Sequence, residues 1–390
     1  MEQQSKSSSL ATGLALFSMF FGAGNLIFPL LVGKTAGTET GSALAGLGIS
    51  AVLFPFLGLI AMMLYGGDLK LFVSRLGKWP GAILLFVLFM SQGPIGAIPR
   101  LLTLMHASVK PYFPTLSLGW FSVALCGLVF VLTIRPHKMV QLLGTVLTPL
   151  LLLTLGGLVL FGVPNAPEAL AVSEGTSFYF KEGLKGGYQT LDLTAALLFA
   201  TVIIPHLARG SDPVLQQRQI RRQMLAASSI AAALLLSAYI GLCWLSAHHA
   251  GSLPANIAPE EILHVIAVKI LGPFGGFIAT GAVFLACLTT AISLAAVSSR
   301  YFETEWFRGK SSFAFSLALT LGVSAAMATL GFSGIMKMWG PILEILYPGL
   351  IVLCLFNIGY SLYRVRSIKT PVFLTLAIGI AGVLFRGIGA

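Results

Sequence analysis

Eleven long apolar runs, almost free of charge, decide what this 390-residue chain can become. They lie at about 10–31, 42–65, 80–98, 116–134, 139–162, 186–207, 224–247, 274–298, 312–332, 338–363 and 371–386. A helix needs roughly 20 apolar residues to cross a hydrocarbon core. The runs are continuous, unlike the alternating segments of about ten residues that build a membrane β-barrel. Only 9% of the residues are charged and mean hydropathy is +0.91. Soluble domains carry about 25% charge, so a soluble globule is excluded. The sequence therefore predicts an all-α polytopic membrane protein. The polar stretch Met1–Ser9 is followed by a run too long for a signal h-region, and no cleaved leader is expected.

Net charge +11 does not indicate nucleic acid, because the Lys and Arg residues fall in short loops between spans. With the N-terminus inside, sixteen of the 24 basic residues lie on the cytoplasmic side. The positive-inside rule thus favours a cytoplasmic N-terminus, and an outside C-terminus if every run crosses. Cys126, Cys243, Cys287 and Cys354 are isolated in apolar runs and read as small buried hydrophobes. His248, His249 and His264 lack metal-ligand spacing, and no phosphate-binding loop or catalytic triad signature is present. No enzyme activity, ATP-driven pumping or cofactor is expected. The proline-led stretch 259–270 predicts a short outer helix, with glutamates at its start and Lys269 near its end.

The first run contains Phe20-Phe21-Gly22-Ala23-Gly24-Asn25-Leu26-Ile27-Phe28-Pro29 at its centre. Glycine weakens a helix, and Pro29 removes a backbone donor. Broken backbone at membrane depth is tolerated where it faces protein or a wet cavity. The stretch is either a tightly packed glycine-rich helix or a ligand site made of open backbone. The sixth run opens similarly, with Gly186-Gly187-Tyr188-Gln189-Thr190-Leu191-Asp192. With five spans per half, runs 1 and 6 are equivalent and enter from opposite sides. Interrupted segments at matching positions point to a transporter site between two inverted repeats. The expected organisation is one domain, residues 1–390. Repeat 1 spans about 10–163, repeat 2 about 186–363, and an extra span about 371–386.

Acidic groups within the runs are Asp192 and Glu344. Asp192 serves a cation or a substrate ammonium or pairs structurally close to the site, or else caps a half-helix beginning at Leu193. Glu344 reads as a gate or pairing residue, or as a solvated end position. In the eighth run Thr289, Thr290 and Ser293 crowd three hydroxyls into one turn. They either bond their own helix carbonyls or help bind Na⁺, a hard cation that takes neutral oxygens. The stretch 91–100 ends run 3 irregularly, with Arg100 expected at the interface rather than paired with an acidic residue.

The stretch Phe20–Pro29 resembles the first-helix signature of the bacterial branched-chain amino acid carriers of the BrnQ type. Gly187–Asp192, Leu285–Ala291, Leu346–Gly349 and Ile98–Arg100 fit the same family in the same order. The resemblance implies a five-plus-five inverted repeat with discontinuous helices 1 and 6. It implies a symporter of leucine, isoleucine and valine with Na⁺, working by alternating access in the bacterial cytoplasmic membrane. Carried over by position, Phe20, Gly22, Ala23, Gly24, Asn25, Tyr188, Thr190 and Asp192 are expected to contact substrate. Carbonyls of Ser18, Phe21 and Ala286 with the hydroxyls of Thr289 and Thr290 are expected to hold Na⁺. The turn at Phe20–Gly24 offers N–H groups to the substrate carboxylate. Two departures stand out: one span fewer than the family commonly carries, and Leu193-Thr194 where it commonly has alanine and leucine. A proton-coupled carrier of another small solute, with Asp192 taking the proton, is the alternative within the fold. A channel or a membrane sensor is the alternative outside it, although no loop is long enough for a sensory domain.

Overall fold

Glycines, prolines and polar residues decide where the apolar runs of this chain become separate helices. The computed structural model describes residues 2–134, 148–164, 166–207, 213–254, 256–364 and 367–388. The described residues are helices and connecting turns, without a strand. In order, the helices are α1 (Glu2–Phe20), α2 (Ala23–Ala36), α3 (Thr40–Gly48), α4 (Phe54–Leu64), α5 (Leu69–Ser74) and α6 (Lys78–Gln92). There follow α7 (Ala97–Val109), α8 (Leu118–Thr133), α9 (Thr148–Gly162), α10 (Thr176–Gln189) and α11 (Asp192–Leu207). The chain ends with α12 (Pro213–His249), α13 (Ile262–Tyr301), α14 (Phe313–Ala328), α15 (Gly331–Tyr363) and α16 (Lys369–Ile388). The first part of the run at 139–162 and the loop cations Arg135, Lys138, Arg209 and Arg366 lie outside the described residues.

Six helical stretches among the described residues are long and apolar enough to cross a membrane, and five further apolar helices are shorter. Large apolar side chains also point outward: Trp79, Trp120, Val131, Leu153, Leu160, Phe274 and Phe277 are all exposed. A soluble monomer rarely shows so much apolar surface, whereas a bilayer demands it.

Two expectations need correction. The segment 164–185 is not all outside loop, because α10 begins at Thr176 and forms the first half of the broken sixth helix. Its polar residues hid it from hydropathy, but Gly183 and Gly187 let it lie against α3. A Cβ on Gly183 would run into the carbonyl of Ala43, and one on Gly187 into the Ser50 hydroxyl. The third run does not end at 98, since the turn at 93–96 is followed by α7, which continues to Val109. The first break falls at Phe21–Gly22, and α2 runs through Pro29.

The helix expected at 259–270 is present, as a turn at Pro259–Glu261 leading into α13. It is separated from the rest of α13 at Gly272, whose φ of 64° precedes Pro273. In the packed body α1 and α2 both lie along α12, α10 lies against α3, and α11 against α4. Helix α13 crosses behind them against α7 and α9.

Candidate substrate site

The first break is built by residues close in sequence. Gly22 stands between α1 and α2 in an extended conformation, φ −122° and ψ −154°. Its N–H donates to Asn25 Oδ1 at 3.1 Å, so Asn25 caps the helix it belongs to. The Phe21 N–H donates to the Phe17 carbonyl at 2.8 Å. Ala23 and Gly24 hold the first two positions of α2, where backbone N–H groups have no partner within their own helix. Gly24 is required by space: a Cβ there would stand 2.8 Å from Thr190 Cα and 2.9 Å from its carbonyl oxygen. The two breaks therefore meet backbone to backbone.

The second break is held from a distance. Between α10 and α11, Leu191 adopts φ 69°, a left-handed conformation that costs a side-chain-bearing residue about 1–2 kcal/mol. Three other helices support it. Gln92 of α6 donates through Nε2 to the Leu191 carbonyl at 2.8 Å and also reaches the Thr194 hydroxyl. Arg100 of α7 donates through Nη1 to the Gln189 carbonyl at 3.1 Å. The Tyr347 hydroxyl of α15 accepts the Leu193 N–H at 3.3 Å.

Asp192 joins the two breaks. It opens α11, where the positive end of the helix dipole favours a carboxylate. Asn25 Nδ2 donates to its two oxygens at 2.9 and 2.7 Å, and the Tyr239 hydroxyl donates to Oδ2 at 2.8 Å. Asp192 and Asn25 are each 1% exposed and Tyr239 is fully buried. A carboxylate taken out of water costs several kcal/mol unless such donors replace its hydration.

Around this junction lies a cavity of about 30 Å³. Phe20, Gly22, Ala23, Gly24, Asn25, Thr190 and Asp192 line it, as do Gln92, Arg100 and Leu191. It has room for a water or two. Any larger solute requires the walls to part. Tyr188 does not line the cavity; its ring packs against Tyr347 at 5.1 Å between centroids. Nor does Glu344, on α15.

Below the first break, α1 meets α13. The Ser18 carbonyl accepts from Thr289 Oγ1 at 3.0 Å and from Thr290 Oγ1 at 3.3 Å, and Thr289 Oγ1 also reaches the Ala286 carbonyl at 2.9 Å. The Ser18 hydroxyl is buried there without a partner. Phe21 is fully buried next to Gly22 with its ring stacked on Phe17 at 5.0 Å. Ser293 bonds the carbonyl of Thr289 one turn back at 2.9 Å. Among the described residues no group of three or more His, Cys, Asp or Glu side chains forms a metal cluster, and the four cysteines are buried and free.

Arg100 corrects the sequence reading. It was expected at the interface and is instead 2% exposed on the cavity wall. Gln92 and Tyr347 lie in stretches the sequence singled out but were given no role there, and Tyr239 escaped the sequence reading altogether. For Gln92 and Arg100 a signal existed, two polar residues flanking Gly93, Pro94, Gly96 and Pro99 inside an apolar run. Tyr347 had one in the family-like stretch Leu346–Gly349, whereas a lone tyrosine in an apolar helix, such as Tyr239, carries no address.

Comparison with known proteins bears on this geometry. The family described as Branched-chain amino acid transport protein matches residues 5–387. The chain belongs to this family. Its relatives are transport proteins, so the chain is a membrane transporter of the branched-chain amino acid family and not an enzyme. The branched-chain amino acid transport system 3 carrier protein of Pseudomonas aeruginosa is 32% identical over 96% of this chain and 86% of its own length. The branched-chain amino acid permease BrnQ of Escherichia coli is 29% identical over 95% and 85%. BraB of Bacillus subtilis is 30% identical over 95% and 83%. Among solved structures, Mhp1, a nucleobase-cation-symport-1 family transporter in a closed conformation, superposes with a TM-score of 0.59 at 11% identity. That match covers 96% of this chain and 92% of Mhp1. A Na⁺-coupled sialic acid symporter in its outward-open state gives 0.52 at 10% identity, covering 95% and 88%. The shared feature is the transporter fold.

Proposed function

We propose that this transporter is a secondary active symporter that imports leucine, isoleucine and valine together with Na⁺ across the bacterial cytoplasmic membrane. It works by alternating access, with a cytoplasmic N-terminus and eleven crossings of the lipid bilayer. Ten crossings form inverted repeats at about 10–163 and 186–363, and one more follows at 371–386. The observation that carries this reading is the meeting of the two helix breaks, Gly24 against Thr190, directly above the oxygens of Ser18, Ala286, Thr289 and Thr290.

The chemistry is what a zwitterion with an aliphatic side chain needs. The N–H groups of Ala23 and Gly24 receive its carboxylate, and Asp192 stabilises its ammonium. Met19, Phe20, Leu101, Ala195 and Leu294 supply an apolar wall. Below, two carbonyls and two hydroxyls suit a hard monovalent cation without adding net charge to desolvate. The partnerless Ser18 hydroxyl beside them supports a further polar occupant. Na⁺ bound to both α1 and α13 would fix the first break in its receptive shape and couple ion to substrate.

Uptake of radiolabelled leucine into proteoliposomes, with and without a Na⁺ gradient, tests the reading. Uptake should need Na⁺ and be competed by isoleucine and valine. Thr289→Ala should raise the Na⁺ concentration for half-maximal uptake about tenfold. Uptake indifferent to Na⁺ would remove the ion from the mechanism. The burial of Asp192 favours one second reading, a proton-coupled carrier. In that case uptake follows a pH gradient instead and Asp192→Asn abolishes the dependence.

A further inference from the structure

The arginine on the cavity wall is held by less than a buried guanidinium requires. Arg100, near the start of α7, is 2% exposed and lines the cavity beside Gly22–Asn25 and Thr190–Asp192. Its Nη1 donates to the Gln189 carbonyl at 3.1 Å, while Nε and Nη2 have no hydrogen-bond partner. The ion pairs among the described residues, Lys70–Glu305, Lys185–Glu182 and Arg300–Glu303, leave it out. Its hydrogen-bonded compensation among the described residues is the C-terminal end of α10, where the helix dipole is negative. Burying a cation that is not fully paired costs several kcal/mol, and a buried donor without a partner calls for an explanation.

The geometry of the open donors supplies one. Nε and Nη2 form one edge of the planar guanidinium, the edge that receives a carboxylate side-on through two parallel hydrogen bonds. Nη1, the atom off that edge, is the one spent on the protein. The first break has already used the N–H groups of Phe21 and Gly22 internally, so its own capacity for an anion is reduced. A carboxylate has two oxygens and about four acceptor directions, enough for the turn and the arginine together. Asp192 lines the same cavity, so the site offers one formal charge of each sign, which suits a zwitterion rather than a simple anion.

We propose that Arg100 binds the α-carboxylate of the substrate through its Nε–Nη2 edge and so makes the carrier select amino acids over their amides. The inference rests on the proposed transport of branched-chain amino acids. The test is competition by leucine and by leucinamide, which lacks the carboxylate charge, against radiolabelled leucine bound to the purified full-length protein. Wild type should prefer leucine by about 100-fold, and Arg100→Gln should bring the two within a few-fold of each other. The change should come from weaker leucine binding, with leucinamide binding unaltered.

If Arg100→Gln weakens both ligands by one factor, Arg100 only supports the end of α10 and the proposal fails. It also fails if wild type binds leucinamide as well as leucine. Should Arg100→Gln not fold, Arg100→Lys decides, since it keeps the charge and loses the fork. Leucine should weaken about tenfold with leucinamide unchanged, and equal losses overturn the assignment. A wild type that binds no leucine at all overturns the transport reading and this assignment with it. Leucine binding whose preference survives Arg100→Gln overturns this assignment alone.

Discussion

The two helix breaks do the same job by different means. At the first, between α1 and α2, Gly22 keeps an ordinary φ and its N–H is capped by Asn25, three residues along the chain. At the second, between α10 and α11, Leu191 is forced to φ 69° and is supported by Gln92, Arg100 and Tyr347 from three other helices. One break is encoded locally and the other is imposed by the tertiary structure. A locally encoded break keeps its shape while its surroundings move. An imposed break changes when its supports move, which suits it to respond to the approach or withdrawal of neighbouring helices.

The largest expected effect comes from uncoupling the two. Asp192→Ala takes the carboxylate away from two buried donors, leaving the Tyr239 hydroxyl without an acceptor and Asn25 Nδ2 with the Tyr239 oxygen alone. It should cost about 3 kcal/mol, read as a lower thermal midpoint in detergent, with leucine uptake lost. A variant as stable as wild type would mean that the breaks are held together by packing alone. Next comes Gly24→Ala, which drives a methyl into the Thr190 backbone where neither side can yield freely. Overpacking of this kind costs about 2 kcal/mol, and the same thermal measurement together with uptake reports it.

Smaller effects separate the breaks from each other. Gln92→Leu removes a donor from the second break only, leaving the Leu191 carbonyl to Thr194 and Ala195. A loss of about 1–1.5 kcal/mol is expected, with the Na⁺ dependence of uptake unchanged because the oxygens proposed for the ion belong to α1 and α13. A shifted Na⁺ dependence would show that the breaks do not act separately. Leu191→Val tests the imposed backbone itself. The side chain stays apolar, but β-branching is disfavoured at positive φ, and about 1 kcal/mol should be lost. An unchanged thermal midpoint would mean that Leu191 stores no strain.

The difference between the breaks also explains what could be read in advance. Gly22, Gly24 and Asn25 stand out because they are conspicuous in an uncharged run, and the structure breaks the chain beside them. Asp192 stands out as a carboxylate among apolar residues. Thr289 and Thr290 stand out as adjacent hydroxyls, and the structure sets them on the Ser18 carbonyl. The half-helix α10 did not stand out, since Lys181, Glu182 and Lys185 made it look like loop. Its helical state becomes intelligible only beside α3, where its glycines allow close approach. Arg100 was misread for a related reason. A cation next to prolines at the end of an apolar run looks like an interfacial residue until the turn at 93–96 is seen to lead back into the body of the protein.

The sequence by itself determined that this chain is a helical membrane protein with an interrupted first helix, a carboxylate at the opening of the sixth run and a hydroxyl-rich eighth run. Each of these follows from composition and local backbone chemistry, which need no partner to be expressed. Only the tertiary structure decided that Asn25 and Tyr239 would share Asp192, that Gln92 would steady Leu191, and that Arg100 would turn inward. Those are choices of hydrogen-bond partner between residues up to 214 positions apart. They are made by how helices pack, and packing depends on the whole set of side chains rather than on any one stretch.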